Sequence, residues 1–190
     1  MGSLKASKKH VLIAGLVTLL GFGGIGLALI YFFHNQLIDK YFFISLFDFG
    51  RQFLIGSGYA FITLIPLTFL LQRKMLDGTR GFFADLLQKF NVSTIDIFFL
   101  SFCAGVGEEL FFRGAIQPWL GIWPTAFLFI ALHGYLNPKD RPLFIYGTVL
   151  LIISAGFGYL LLNTGIYASI TAHFWIDIVL MIYLKRSILK

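Results

Sequence analysis

Gly107-Glu108-Glu109-Leu110-Phe111-Phe112-Arg113-Gly114 holds the only two glutamates of the 190-residue sequence, side by side in a run of Phe, Leu, Gly and Ala. An ionisable side chain at the centre of a bilayer costs about 2.5–3.5 kcal/mol on insertion scales, so two carboxylates and a guanidinium there need partners. On a helix Glu109 and Arg113 are four residues apart and share a face, which pairs them. Glu108 is turned about 100° from Glu109, the step of a 3.6-residue helix, and is left free for other work. One reading makes all three a structural ion cluster. The other makes one carboxylate a brace and the other a reactive group.

Outward from this stretch, the chain is 58% hydrophobic and 18% aromatic, with 13% charged residues and a mean hydropathy of +0.84. Soluble domains carry about 25% charged residues, so the composition is that of a membrane protein. Residues 1–190 read as a single integral-membrane domain, all-α, a polytopic bundle of about six transmembrane helices. The net charge of +6 does not make a nucleic-acid surface, because nearly all Lys and Arg residues fall between the apolar runs. Cys103, the only cysteine, lies within an apolar stretch and reads as a small buried hydrophobe.

The first span is Val11 to Phe33, long enough to cross and longer than the apolar core of a cleavable signal peptide. Its Gly21-Phe22-Gly23-Gly24-Ile25-Gly26 run allows close helix packing; no strand precedes it, so it is not a nucleotide fingerprint. Positions 34–51 are mixed and aromatic and read as an interfacial segment, with His34 there and His10 in the basic leader both expected in solvent. Phe53 to Leu71 is the second span, with Pro66 inside it. Gln72 to Phe90 reads as a surface-lying amphipathic segment. Ser93 or Thr94 caps the third span, Ile95 to Gln117, which carries the glutamates. Pro124 opens a short fourth span that ends at Asn137-Pro138. Leu143 to Leu162 and Ile166 to Leu184 are the fifth and sixth.

Four further residues belong with the glutamates. Phe129 and His133 are spaced i,i+4 on the fourth span, and His173 and Asp177 are spaced i,i+4 on the sixth. Singly, each is an ordinary contact between helices. Together Glu108, His133, His173 and Asp177 come from three spans and form an acid/base set, each costly to bury unless it meets the others. Glu108 lies ten residues before Pro118, His133 nine after Pro124 and His173 eight after Gly165. At 1.5 Å per residue they sit about 15, 13 and 12 Å from the outer ends of their helices, so all three can share one level.

Glu108-Glu109-x-x-x-Arg113, Phe129-x-x-x-His133 and His173-x-x-x-Asp177 together resemble the three-motif pattern of the CPBP family. These are intramembrane endopeptidases related to the CAAX prenyl proteases, also called the ABI family and historically classed as metalloproteases. The resemblance covers about half the chain, with residues 95–184 as the catalytic core. It implies hydrolysis of a peptide bond in a membrane-associated protein or peptide, at the lipid bilayer of the cell membrane and without nucleic acid. By the same resemblance Glu108 and His133 activate a water, while His173 and the residue at 177 stabilise the oxyanion. Some members have Asn where this chain has Asp177. An ionised Asp cannot donate to an oxyanion, so Asp177 is expected to orient the His173 ring or to stay protonated. Glu109, Arg113 and Phe129 are expected as structural support.

No cofactor is expected. Zinc held by Glu108, His133 and His173 is the alternative, but each histidine then loses its other use, and no His-Glu-x-x-His is present. Two other functions compete with proteolysis. One is a non-catalytic membrane scaffold or peptide-immunity protein of the same fold, against which the complete acid/base set argues. The other is an ion-coupled carrier, against which the lack of an inverted repeat argues.

Orientation follows from the basic residues. With the N-terminus in the cytoplasm, inner segments hold Lys5, Lys8, Lys9, Arg73, Lys74, Arg80, Lys89, Lys139, Arg141, Lys185, Arg186 and Lys190, against Lys40 and Arg51 outside. That asymmetry predicts both termini in the cytoplasm and the 34–51 loop outside. In a Cys103→Ser background, a cysteine at position 190 should label only from the cytoplasmic side. Labelling from the outside alone refutes the topology.

Overall fold

The apolar runs of the sequence become helices in a computed structural model that describes residues 7–43 and 47–187. Lys5 and Lys190, two members of the charge asymmetry, lie outside the described residues. Helix α1 (Lys8–Phe33) contains a π-helical turn at Thr18–Phe22. Then come α2 (Phe49–Leu71), α3 (Asp77–Lys89) and α4 (Thr94–Glu108), which runs without a break into a π-helix, Glu109–Ile116, and a short α5 (Gln117–Leu120). Helices α6 (Ile122–Leu132), α7 (Arg141–Asn163) and α8 (Ile166–Ser187) complete the order, with no strand among the described residues.

Four of these helices, α1, α2, α7 and α8, are long and apolar enough to cross a membrane. The third and fourth spans of the sequence reading are built differently. The third is the α4–π–α5 rod, which carries three charged side chains at its middle. The fourth is the eleven-residue α6, shorter than the sequence suggests. It stops at Leu132 because Gly134 takes φ of 77°, the left-handed conformation a side chain resists. The Tyr135 N–H donates to the Ile130 carbonyl and the Gly134 N–H to the Ala131 carbonyl, the paired bonds of a Schellman stop. His133 therefore sits at the helix end rather than inside a helix that runs to Asn137.

Helix α8 is the centre of the bundle. It packs against α2, α3, α4 and α7, and its Ala172, Ile176 and Leu180 join Leu64, Leu67, Tyr146, Ile153 and Phe157 in the largest apolar core. Outward faces stay apolar, as with Leu20 and Phe32 on α1 and Leu54, Ile62 and Ile65 on α2, the pattern of helices solvated by lipid. Ser93 caps α4 in a reciprocal box. Its hydroxyl accepts from the Asp96 N–H, and the Asp96 carboxylate accepts from the Ser93 N–H at 2.6 Å. Asp96 also pairs with Lys8 at 2.6 Å, tying the start of α1 to the start of α4. Cys103 is fully buried, as its apolar setting predicts.

His34 departs from expectation. It is buried and lies on the Trp119 ring, 4.6 Å between centroids, because the chain after α1 folds back over α5. The same return packs Tyr41 against Leu110, Leu161 and Ile166, so this loop is part of the bundle and not only an interfacial strip. His10 is exposed as expected and closes the first turn of α1 through Ser7.

The glycine run of α1 serves close packing, as the sequence suggests. Gly23 faces the Cα of Gly107, and a Cβ on Gly26 would come within 2.8 Å of the backbone at Leu110 and Phe111. A Cβ on Gly107 would lie 2.4 Å from the Thr18 carbonyl oxygen, an atom that cannot rotate away. Gly107→Val should therefore lower the thermal unfolding temperature in detergent, as overpacking costs about 1–3 kcal/mol or more. Gly24→Ala, where an added Cβ meets nothing within 4 Å, should leave that temperature unchanged or raise it slightly.

Candidate active site

Three elements converge on the glutamate pair. The end of α4 and the π-helix supply Glu108, Glu109 and Arg113, the Schellman turn after α6 supplies His133, and the middle of α8 supplies Ser169, His173 and Asp177. Glycines set the spacing here too: a Cβ on Gly105 would approach the Ile170 carbonyl and the Phe174 N–H of α8 at 3.2 and 3.3 Å. Close backbone approach puts short carboxylate side chains within reach of a facing helix. The π-helix itself was not legible in the sequence; such wide turns occur often at functional sites.

Glu109 is completely buried and fully engaged. Its Oε2 faces the Arg113 Nε at 3.4 Å, and the Ser169 hydroxyl donates to the same oxygen. Its Oε1 accepts from the His173 Nδ1 at 2.9 Å. Arg113, also buried, donates from Nη2 to the Ser154 hydroxyl at 2.7 Å and to the Ser154 carbonyl at 3.3 Å. Its guanidinium lies over the Phe129 ring at 4.6 Å, so Phe129 supports the site by packing on the cation. The Glu109–Arg113 pair read from spacing is present, and Glu109 also holds a ring nitrogen that spacing did not assign to it.

Glu108 points the other way, into a cavity of about 320 Å³ that His133, His173 and Asp177 also line. Its Oε2 stands 3.9 Å from the His133 Nε2 and 3.8 Å from the His173 Nε2. These separations are too long for direct hydrogen bonds and suit a group placed between them. His133 has its Nδ1 2.7 Å from the Phe129 carbonyl, which can only accept, so the ring donates there and turns its Nε2 lone pair to the cavity. The His173 ring is clamped face-on by Phe157, 5.4 Å between centroids, and edge-on by Phe129.

Asp177 faces the same ring: its Oδ2 is 3.6 Å from the Nε2 of His173, whereas the Nδ1 side is taken by Glu109. A residue one turn further along α8 reaches the cavity side of the ring, while the facing helix fills the other side. Glu109 therefore sets the His173 orientation. Ser169 and Ser154 were missed by sequence reasoning. Ser169 had a signal: Ser169, His173 and Asp177 make a polar i, i+4, i+8 stripe on an apolar helix. Ser154 had none.

Ligands of a tetrahedral zinc at 2.0–2.1 Å stand about 3.3 Å apart, closer than the two nitrogen–carboxylate separations here. Among the described residues no group of three or more His, Cys, Asp or Glu is gathered tightly enough to hold a metal ion.

The fold is a helical membrane bundle whose interior gathers two histidines and two glutamates beside a cavity. Residues 80–179 match the family described as type II CAAX prenyl endopeptidase, Rce1-like, and the chain belongs to that family. A curated relative, the uncharacterized protein YpbD of Bacillus subtilis (strain 168), is 38% identical over 84 residues, 44% of this chain and 42% of that protein. The chain therefore spans less than half the length of that relative. No solved structure matches.

The two neighbouring glutamates should respond differently to mutation. Glu108→Gln keeps the shape of a side chain that makes no direct hydrogen bond, so folded protein should accumulate normally. Arg113→Ala leaves Glu109 buried without its cation, typically a loss of about 3–5 kcal/mol, so the folded fraction should collapse. Size-exclusion profiles of the two variants in detergent decide this, and equal monodisperse yields would refute the division.

Proposed function

We propose that this chain is an intramembrane endopeptidase that hydrolyses a peptide bond of a membrane-associated protein or peptide, with a water activated by Glu108 and His133. The observation that carries the reading is the 3.9 Å gap between the Glu108 Oε2 and the His133 Nε2, both acceptors turned to one cavity. A water about 2.8 Å from each gives one proton to either acceptor and directs its lone pairs away from them.

In the reaction, that water attacks the scissile carbonyl carbon and its proton passes to Glu108. The carbonyl π electrons move to oxygen, and the oxyanion accepts a hydrogen bond from the His173 Nε2–H. Because Nδ1 already donates to Glu109, the ring must carry both protons, and Glu109 and Asp177 supply the balancing charge. Collapse of the tetrahedral centre re-forms the carbonyl and breaks the C–N bond. Glu108 returns its proton to the departing amine and is a carboxylate again. No metal takes part in this scheme. Family membership supports peptidase chemistry; the basic asymmetry supports a cell-membrane protein with both ends in the cytoplasm.

Two measurements test this. Membrane and secreted peptides from cells carrying the normal protein or Glu108→Gln should differ by a precursor that accumulates uncut in the variant; identical profiles overturn the enzymatic reading. Purified protein dialysed against a strong chelator should keep cleaving that precursor. Loss of activity that returns with stoichiometric zinc overturns the metal-independent scheme.

A further inference from the structure

A second cavity, of about 470 Å³, lies beside the catalytic one, between the N-terminal half of α3 and the connection from α6 to α7. The two share three lining residues, Phe83, His133 and Tyr135. The Phe83 and Tyr135 rings stand 5.9 Å apart, centroid to centroid, and Tyr135 lies parallel to the His133 ring, 7° between planes at 5.9 Å. Phe83 of α3 and Tyr135 of the Schellman turn are thus in ring contact where the two cavities meet, with His133 beside them. The second cavity is mostly apolar, lined by Met75, Phe82, Pro142 and Leu143. Its one carboxylate, Asp140, is engaged as the cap of α7, accepting from the Leu143 N–H at 3.1 Å.

We infer that this second cavity is a substrate subsite that holds an extended, apolar stretch of chain flanking the scissile bond, which reaches Glu108 past His133 when the Phe83–Tyr135 contact parts. The occupant follows from continuity. A chain lying in the outer cavity meets His133 next, and the water site lies between His133 and Glu108. The apolar walls favour apolar side chains. Helix α3 then forms one wall of the substrate path.

The subsite rests on the proteolytic reading, and its test separates the two because the first measurement needs no cleavage. Ala104 lines the catalytic cavity, so Ala104→Cys in a Cys103→Ser background reports access to it. The probe is a bulky water-soluble maleimide. Gly78 lines the outer cavity at a position where an added Cβ meets nothing within 4 Å, so Gly78→Trp puts a bulky ring at the path from an uncrowded point of attachment. Labelling should slow several-fold with Gly78→Trp and quicken several-fold with Tyr135→Ala or Phe83→Ala. A misfolded variant cannot produce both directions. Rates unchanged by all three substitutions overturn the path. With the substrate in hand, Gly78→Trp should raise KM several-fold and leave kcat near normal; an unchanged KM overturns the subsite even where labelling slows.

Discussion

The carboxylate of Glu109 is the interaction on which the rest depends. It is buried where no water can solvate it, and three contacts from two elements compensate: Arg113 of its own π-helix on one side, Ser169 and His173 of α8 on the other. A buried charge of this kind is strongly destabilising when any partner is lost, because the remainder stays uncompensated in a low-dielectric interior. The network therefore specifies one relative placement of the π-helix and α8. It also fixes the His173 ring, since Nδ1 is committed to Glu109, while Phe157 stacks on the ring and Phe129 packs against it edge to face. Glu108, one residue earlier, is oriented toward the cavity by the same constraint without sharing its contacts.

Close packing makes that network possible. Gly107 and Gly26 let α1 and the glutamate rod touch backbone to backbone, and Gly105 does the same toward α8. Side chains as short as Glu and Ser meet across such a contact; with larger residues at those points the helices would stand too far apart. The rigid half of the site is built from these contacts. The other half is a turn: α6 ends early at Gly134, which brings His133 to the cavity edge and Tyr135 beside it. The division between a braced carboxylate and a free one is what the proposed peptide hydrolysis would use.

Much of this was legible beforehand because it is local. The apolar runs, the cap at Ser93, the glycine run of α1 and the i,i+4 spacings all follow from helical periodicity within one segment. Periodicity also brought Glu108, His133 and His173 to one level, and the structure brings them within 3.9 Å of a shared oxygen. The misreadings have a common physical origin. His34 was placed in solvent because a lone histidine in a loop shows nothing of the tryptophan it will cover. The end of α6 was set at Pro138, a strong local stop, when Gly134 had already satisfied the last carbonyls through Tyr135 and its own N–H. The π-helix left no pattern, because a wider turn with the same apolar residues reads like any other turn.

By itself the sequence determined that this is a polytopic helical membrane protein with a charged site drawn from three of its apolar segments. Composition and spacing suffice for that, since a hydrocarbon interior tolerates ionisable groups only where they meet. Tertiary structure alone decided which ring nitrogen each carboxylate takes. A histidine presents two nitrogens on opposite edges, and only the packing of α4 and the π-helix against α8 puts Glu109 at one edge of His173 and leaves the other, with Asp177 and Glu108, facing the cavity.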